Sequence, residues 1–126
     1  MALEIARSGE PIDGAISFHG GLSSKAPSFE EGSIKTPILV HHGDADPLVS
    51  EKEVKGFFKE MKKTDADWTF IRYADAVHGF TQKSSGHDPS TGVAYNRKAD
   101  DRSWLTTLSF LELIYRRDIE RRPIDY

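Results

Sequence analysis

The chain has 126 residues, a net charge of -3 and no cysteine. That length is one domain's worth of chain, enough to bury a real core. The charge balance argues against a nucleic-acid surface, which needs clustered positive charge, and the missing thiols exclude disulfides, thiolate metal sites and a cysteine nucleophile within these residues. No apolar run approaches the roughly 20 residues of a spanning helix, and the amino terminus lacks a signal-peptide pattern. The expectation is a cytoplasmic protein with neither nucleic-acid nor membrane partners.

Met1 to Arg7, closed by Gly9 and Pro11, reads as the last turns of a helix. Asp13-Gly14 turns into A-I-S-F-H, a buried strand ending at His19-Gly20-Gly21. Leu22 to Thr36 is rich in Ser, Pro, Gly, Lys and Glu and reads as a loop with one helical turn. Pro37 to Val49, P-I-L-V-H-H-G-D-A-D-P-L-V, is a buried strand that empties into a carboxylate-bearing turn, with Gly43 permitting the sharp bend and Asp46 held extended by Pro47.

Ser50 with Glu53 is a capping-box pattern, and Val54, Phe57, Phe58 and Met61 give the helix that follows one apolar face up to Lys62 and Lys63. W-T-F-I-R-Y, Trp68 to Tyr73, is a third strand. A long loop from Ala74 to about Lys98 carries His78 and His87. Asp100 and Asp101 are read as opening a final helix with Trp104, Leu108, Leu111 and Tyr115 on one face. Arg116, Arg117, Arg121 and Arg122 are read as its carboxyl end and a solvated tail. Helix, strand, strand, helix, strand, helix is the order of an α/β parallel sheet in one domain.

Asp46 follows one strand and His78 the next. An aspartate there can hold a histidine in the tautomer that takes a proton from a nucleophile, and the order acid then histidine on successive strand ends is that of an α/β-hydrolase. An Asp-Pro turn and a loop histidine are also ordinary structural features, and the residues alone leave both readings open. His41, His42, Asp44, Asp46, His78, His87 and Asp88 are metal-ligand types, but adjacent His41 and His42 on a strand point to opposite faces and no spacing matches a helical pair, so no metal or cofactor is expected. His19 and His41, both near strand ends, read equally as pocket-lining residues or as satisfied histidines near the core.

The chain resembles the carboxyl-terminal half of the dienelactone hydrolase family of α/β-hydrolases. The residues that carry this are A-L-E-I-A-R-S-G at Ala2 to Gly9, I-S-F-H-G-G-L at Ile16 to Leu22, H-G-D-A-D-P-L-V at His42 to Val49 and A-V-H-G-F-T at Ala76 to Thr81. D-P-S-T-G-V-A-Y-N at Asp88 to Asn96 and D-R-S-W at Asp101 to Trp104 extend the match.

The resemblance implies a partial α/β-hydrolase fold over residues 1–126, with about three parallel strands and flanking helices, the amino-terminal half of the sheet being absent from it. It makes Asp46 the triad acid and His78 the base of an ester or lactone hydrolase. The family's G-x-[CS]-x-G nucleophile elbow would fall about five residues before Met1, so the expectation is weak or no activity for these residues alone. Ser17, Ser23, Ser24, Ser84 and Ser85 lie in no such elbow. Gln82 stands where dienelactone hydrolases proper carry an arginine that holds the substrate carboxylate, which disfavours dienelactone itself. A homodimer or higher oligomer through an exposed first strand is the expected assembly. A non-catalytic module and a composite hydrolase with its nucleophile on another chain are the alternatives.

Overall fold

A computed structural model describes residues 1–116. Its elements in chain order are α1 (Ala2–Arg7), β1 (Ala15–Phe18), β2 (Ile38–Gly43), α2 (Glu51–Thr64), β3 (Trp68–Tyr73) and α3 (Arg97–Tyr115), with short 3-10 turns at Lys83–Ser85 and Pro89–Thr91. The strands form one parallel sheet in the order β1-β2-β3, with Ala15 opposite Ile38 and Ile38 opposite Trp68 at the amino ends. Every residue of β2 is buried, as a central strand covered on both faces requires.

One face of the sheet packs against α1 and α2. Leu3, Ala6, Ala15, Ile38, Val40, Val54, Phe57 and Met61 join in its core, with Phe58 partly buried beside them. The Ser50 hydroxyl accepts the Glu53 N–H at 3.2 Å and starts α2 as its capping residue. α1 is fixed to α2 by a buried ion pair: Arg7 Nε and Nη2 each lie 2.8 Å from a Glu60 carboxylate oxygen, and Nη2 also donates to the Leu22 carbonyl at 2.6 Å. The two bonds and the Glu60 charge outweigh the desolvation of Arg7 and raise its pKa further.

The other face packs against α3, and here sequence and structure part in two places. The helix begins at Arg97, capped by Asn96, whose side chain accepts the Ala99 N–H at 3.0 Å; Asp100 falls within the first turn instead of opening it. Its buried residues are Ala99, Ser103 and Thr107, while Trp104, Leu108 and Tyr115 are 55, 45 and 71% exposed. Small polar residues suit the sheet side because His41, fully buried, presents its ring there. Its Nδ1 lies 2.9 Å from the Tyr73 hydroxyl and its Nε2 2.9 Å from Thr107 Oγ1.

Residues 22–36 contain no helix, only a hydrogen-bonded turn at Glu30–Ser33. The Arg116 backbone ends α3, whereas Arg117, Arg121 and Arg122 lie outside the described residues. Among the described residues no helix is long and apolar enough to cross a membrane.

Candidate active site

The three strands deliver three residues to the same end of the sheet: His19 directly after β1, Asp46 after β2 and His78 after β3. This is the carboxyl end, where open parallel sheets place ligand sites. The exits of β2 and β3 are stitched together by backbone. The Asp44 N–H donates to the Tyr73 carbonyl at 2.9 Å and the Ala45 N–H to that of Ala76 at 3.0 Å.

Gly43 serves close approach rather than the bend expected of it. It is not among the glycines of positive φ, and a Cβ there would sit 2.5 Å from the Ala76 carbonyl oxygen. Only glycine lets the two exits lie this close, and that closeness brings Asp46 to His78.

Asp46 closes a turn by donating its N–H to the Gly43 carbonyl at 3.0 Å. Its Oδ1 accepts the Leu48 N–H at 2.8 Å across Pro47, and its Oδ2 lies 2.8 Å from His78 Nδ1. The carboxylate side chain is fully buried, while the imidazole is 30% exposed. A buried acid with both oxygens committed fixes one ring nitrogen and leaves Nε2 for a substrate or nucleophile.

His78 is braced from its own loop as well. It pairs in a single parallel bridge with Val93: its N–H donates to the Gly92 carbonyl at 3.2 Å, and its carbonyl accepts the Ala94 N–H at 3.1 Å. Gly92 has φ +83 and packs on Pro47, where an added Cβ would meet Cγ at 2.8 Å. Gly79 turns the chain after the histidine with φ +70. The Gly92–Ala94 limb therefore touches both the Asp46 turn and the His78 backbone. Sequence reasoning assigned it no part; its one local signal is glycine in D-P-S-T-G, where Asp88 caps a 3-10 turn that ends in left-handed Gly92.

His19 also belongs to the site. It sits at φ +41, an uncommon conformation for a residue with a side chain, and its Nε2 lies 2.8 Å from Thr81 Oγ1. Its ring packs edge-to-face against His78 at 5.7 Å between centroids and against Phe80 at 5.1 Å. Burial and then the neighbouring His78 lower its pKa, so it is neutral at neutral pH. Of the two readings open to the pair, His41 takes that of a satisfied core histidine, while His19 is hydrogen-bonded to Thr81 beside His78.

The other metal-type residues do not converge. His41 points to α3 and His42 to the α2 face against Phe70, while His87 packs on Tyr95. Among the described residues no group of three or more His, Cys, Asp or Glu is placed to hold a metal. His42 Nδ1 is buried and has no hydrogen-bond partner among the described residues. The hydroxyls of Ser24 and Ser85 are bonded to Glu4 and Gln82, not to His78.

Known proteins share this arrangement of elements. The sequence model of the dienelactone hydrolase family matches residues 1–115. An uncharacterized protein of Caenorhabditis elegans, K02A2.1, is 41% identical over 101 residues, covering 80% of this chain and 64% of that protein. Among solved structures, m3DLH superposes with a TM-score of 0.81 at 33% identity, over 90% of this chain and 47% of that one. The dienelactone hydrolase-like promiscuous phosphotriesterase P91 from metagenomic libraries superposes at 0.77 with 37% identity, over 88% and 46%. The chain thus spans about half the length of these solved relatives. With the family matched over nearly all of its described residues, the chain belongs to the dienelactone hydrolase family.

Proposed function

We propose that these residues form the acid–base half of an ester or lactone hydrolase, with His78 as general base and Asp46 as the acid that orients it. The observation that carries this reading is the 2.8 Å contact from buried Asp46 Oδ2 to His78 Nδ1 at the carboxyl end of the sheet. In the reaction, His78 Nε2 takes the proton of a nucleophilic hydroxyl or thiol as that atom attacks the acyl carbon. Asp46 stabilises the imidazolium through Nδ1–H, and Nε2 then returns the proton to the leaving alkoxide.

The nucleophile is supplied from outside residues 1–126, since none of them forms a G-x-[CS]-x-G turn. On their own these residues are weakly active or inactive. With Gln82, an uncharged amide, in place of an arginine, neutral esters and lactones are the substrates to test first, and phosphotriesters second in view of the similarity to P91.

A chimera tests the reading: the part of m3DLH without a counterpart here, joined ahead of residue 1. It is expected to hydrolyse p-nitrophenyl esters and to lose that activity with His78→Ala. An active chimera indifferent to His78→Ala and Asp46→Asn would refute the assignment.

A further inference from the structure

The loop that carries His78 leaves β3 but comes to rest beside the end of β1. With the strands in the order β1-β2-β3, it crosses the end of β2, two strand spacings or about 10 Å in all. Asp46, after β2, meets this crossing at His78 Nδ1. His19, after β1, meets it on the far side.

Past His78 the loop forms a turn, Gly79 to Gln82, closed by the Gln82 N–H donating to the Gly79 carbonyl at 2.9 Å. Phe80 and Thr81 are its central residues, and His19 holds both. The His19 ring packs on Phe80 at 5.1 Å between centroids, and its Nε2 lies 2.8 Å from Thr81 Oγ1. Phe80 is itself fully buried against Tyr73, and its carbonyl accepts the Asn96 N–H at 2.9 Å. The same His19 ring meets His78 edge-to-face at 5.7 Å. His78 thus touches a residue from each of the other two strand ends.

Position 19 supplies this side chain at a cost. Its N–H still belongs to the sheet, donating to the His41 carbonyl at 2.8 Å, but its φ of +41 is one that glycine adopts without penalty. Glycine at 19 would relieve the backbone and abandon all three contacts. Burial and the neighbouring His78 keep His19 uncharged at neutral pH, so it steadies the base without opposing the positive charge that the base acquires.

We infer that His19 is a positioning residue for His78: through Thr81 and Phe80 it fixes how far the crossing loop reaches, and so where Nε2 of the base points. The inference rests on His78 being the base.

The test reads the His78 ring in two-dimensional nitrogen–proton spectra of the purified chain and of Thr81→Val, Thr81→Ser and His19→Asn. Valine keeps the shape of threonine without its hydroxyl, serine keeps the hydroxyl, and asparagine tolerates the left-handed backbone. Exchange of the His78 Nδ1 proton with water is expected to quicken roughly threefold to tenfold in Thr81→Val and His19→Asn, the worth of one net hydrogen bond. Thr81→Ser is expected to exchange at the native rate, and far-UV circular dichroism to be unchanged in all three. Thr81→Val, at a half-buried loop position, decides the matter should His19→Asn lose its fold. Native exchange in Thr81→Val and His19→Asn overturns the inference, as does equal quickening in Thr81→Ser. Mixed tautomers already in the native chain would remove the Asp46–His78 pair and the proposed function along with this role. A fixed native tautomer indifferent to both variants removes the role of His19 alone.

Discussion

His78 Nδ1 and Asp46 Oδ2 are 2.8 Å apart although they leave different strands, and the second oxygen of Asp46 is held by the Leu48 N–H. An acid so fixed selects the Nδ1–H tautomer of a neutral imidazole. Two-dimensional nitrogen–proton spectra of the His78 ring should therefore show Nδ1 protonated in the native chain. Asp46→Asn can present its amide nitrogen to Nδ1 and is expected to move the proton to Nε2. Mixed tautomers in the native chain would contradict the geometry.

Gly92 positions that pair. Ala at 92 would combine a left-handed backbone with a Cβ 2.8 Å from Pro47, whereas Ala at Gly86, also at positive φ, meets open space. Gly86→Ala, at φ 74 and ψ -170 where only glycine is at ease, carries a backbone penalty of its own away from the pair, and Gly92→Ala should cost about 1–3 kcal/mol and, unlike it, disturb the His78 tautomer signal. Urea unfolding measures the first effect and the ring spectra the second. A His78 ring signal that Gly92→Ala leaves unchanged would show that the Pro47 contact is unimportant.

The Arg7–Glu60 pair is 4% and 3% exposed at its side chains, so removing one partner strands a buried charge. Arg7→Met or Glu60→Met alone is expected to cost roughly 3–5 kcal/mol, and the two together considerably less than the sum. A double-mutant cycle in urea gives the coupling directly, and additive losses would contradict it.

His41 gives stability a pH dependence of known sign. Burial lowers its pKa from 6.5 to about 4. The unfolded chain therefore binds a proton that the folded chain refuses between those values. The contribution is complete above about pH 6.5 and is lost as pH falls towards about 4, by up to roughly 3 kcal/mol. His19 and His42, also lowered by burial, act in the same direction. Unfolding free energies at pH 7.5 and 5 should differ accordingly, with a smaller difference in His41→Gln; an unchanged slope in that variant would dissociate the effect from His41.

Local signals made part of this structure legible in advance. Ser50 capped a helix whose apolar face could be counted, and the six residues of β3 were bounded by their own composition. Chain order put Asp46 and His78 after successive strands, but the residues alone left their pairing open and the family resemblance assigned it. The start of α3 was obscured because Arg97 and Lys98 at its amino end oppose the helix dipole, whereas Asp100 and Asp101 suit it, although the cap is Asn96. Its buried face was hidden for a different reason: Ser103 and Thr107 are polar, and only the partner His41 explains their burial. The roles of His19 and Gly92 depend on contacts with Thr81 and Pro47 far along the chain, which no periodicity encodes.

The central claim is that Asp46 and His78 are an acid–base pair whose nucleophile lies outside residues 1–126. Its most direct test is the hydrolysis of p-nitrophenyl acetate by the purified chain beside its His78→Ala variant. The account predicts the same background rate for both. Turnover by the native chain that His78→Ala abolishes would place a working nucleophile within these residues and contradict it.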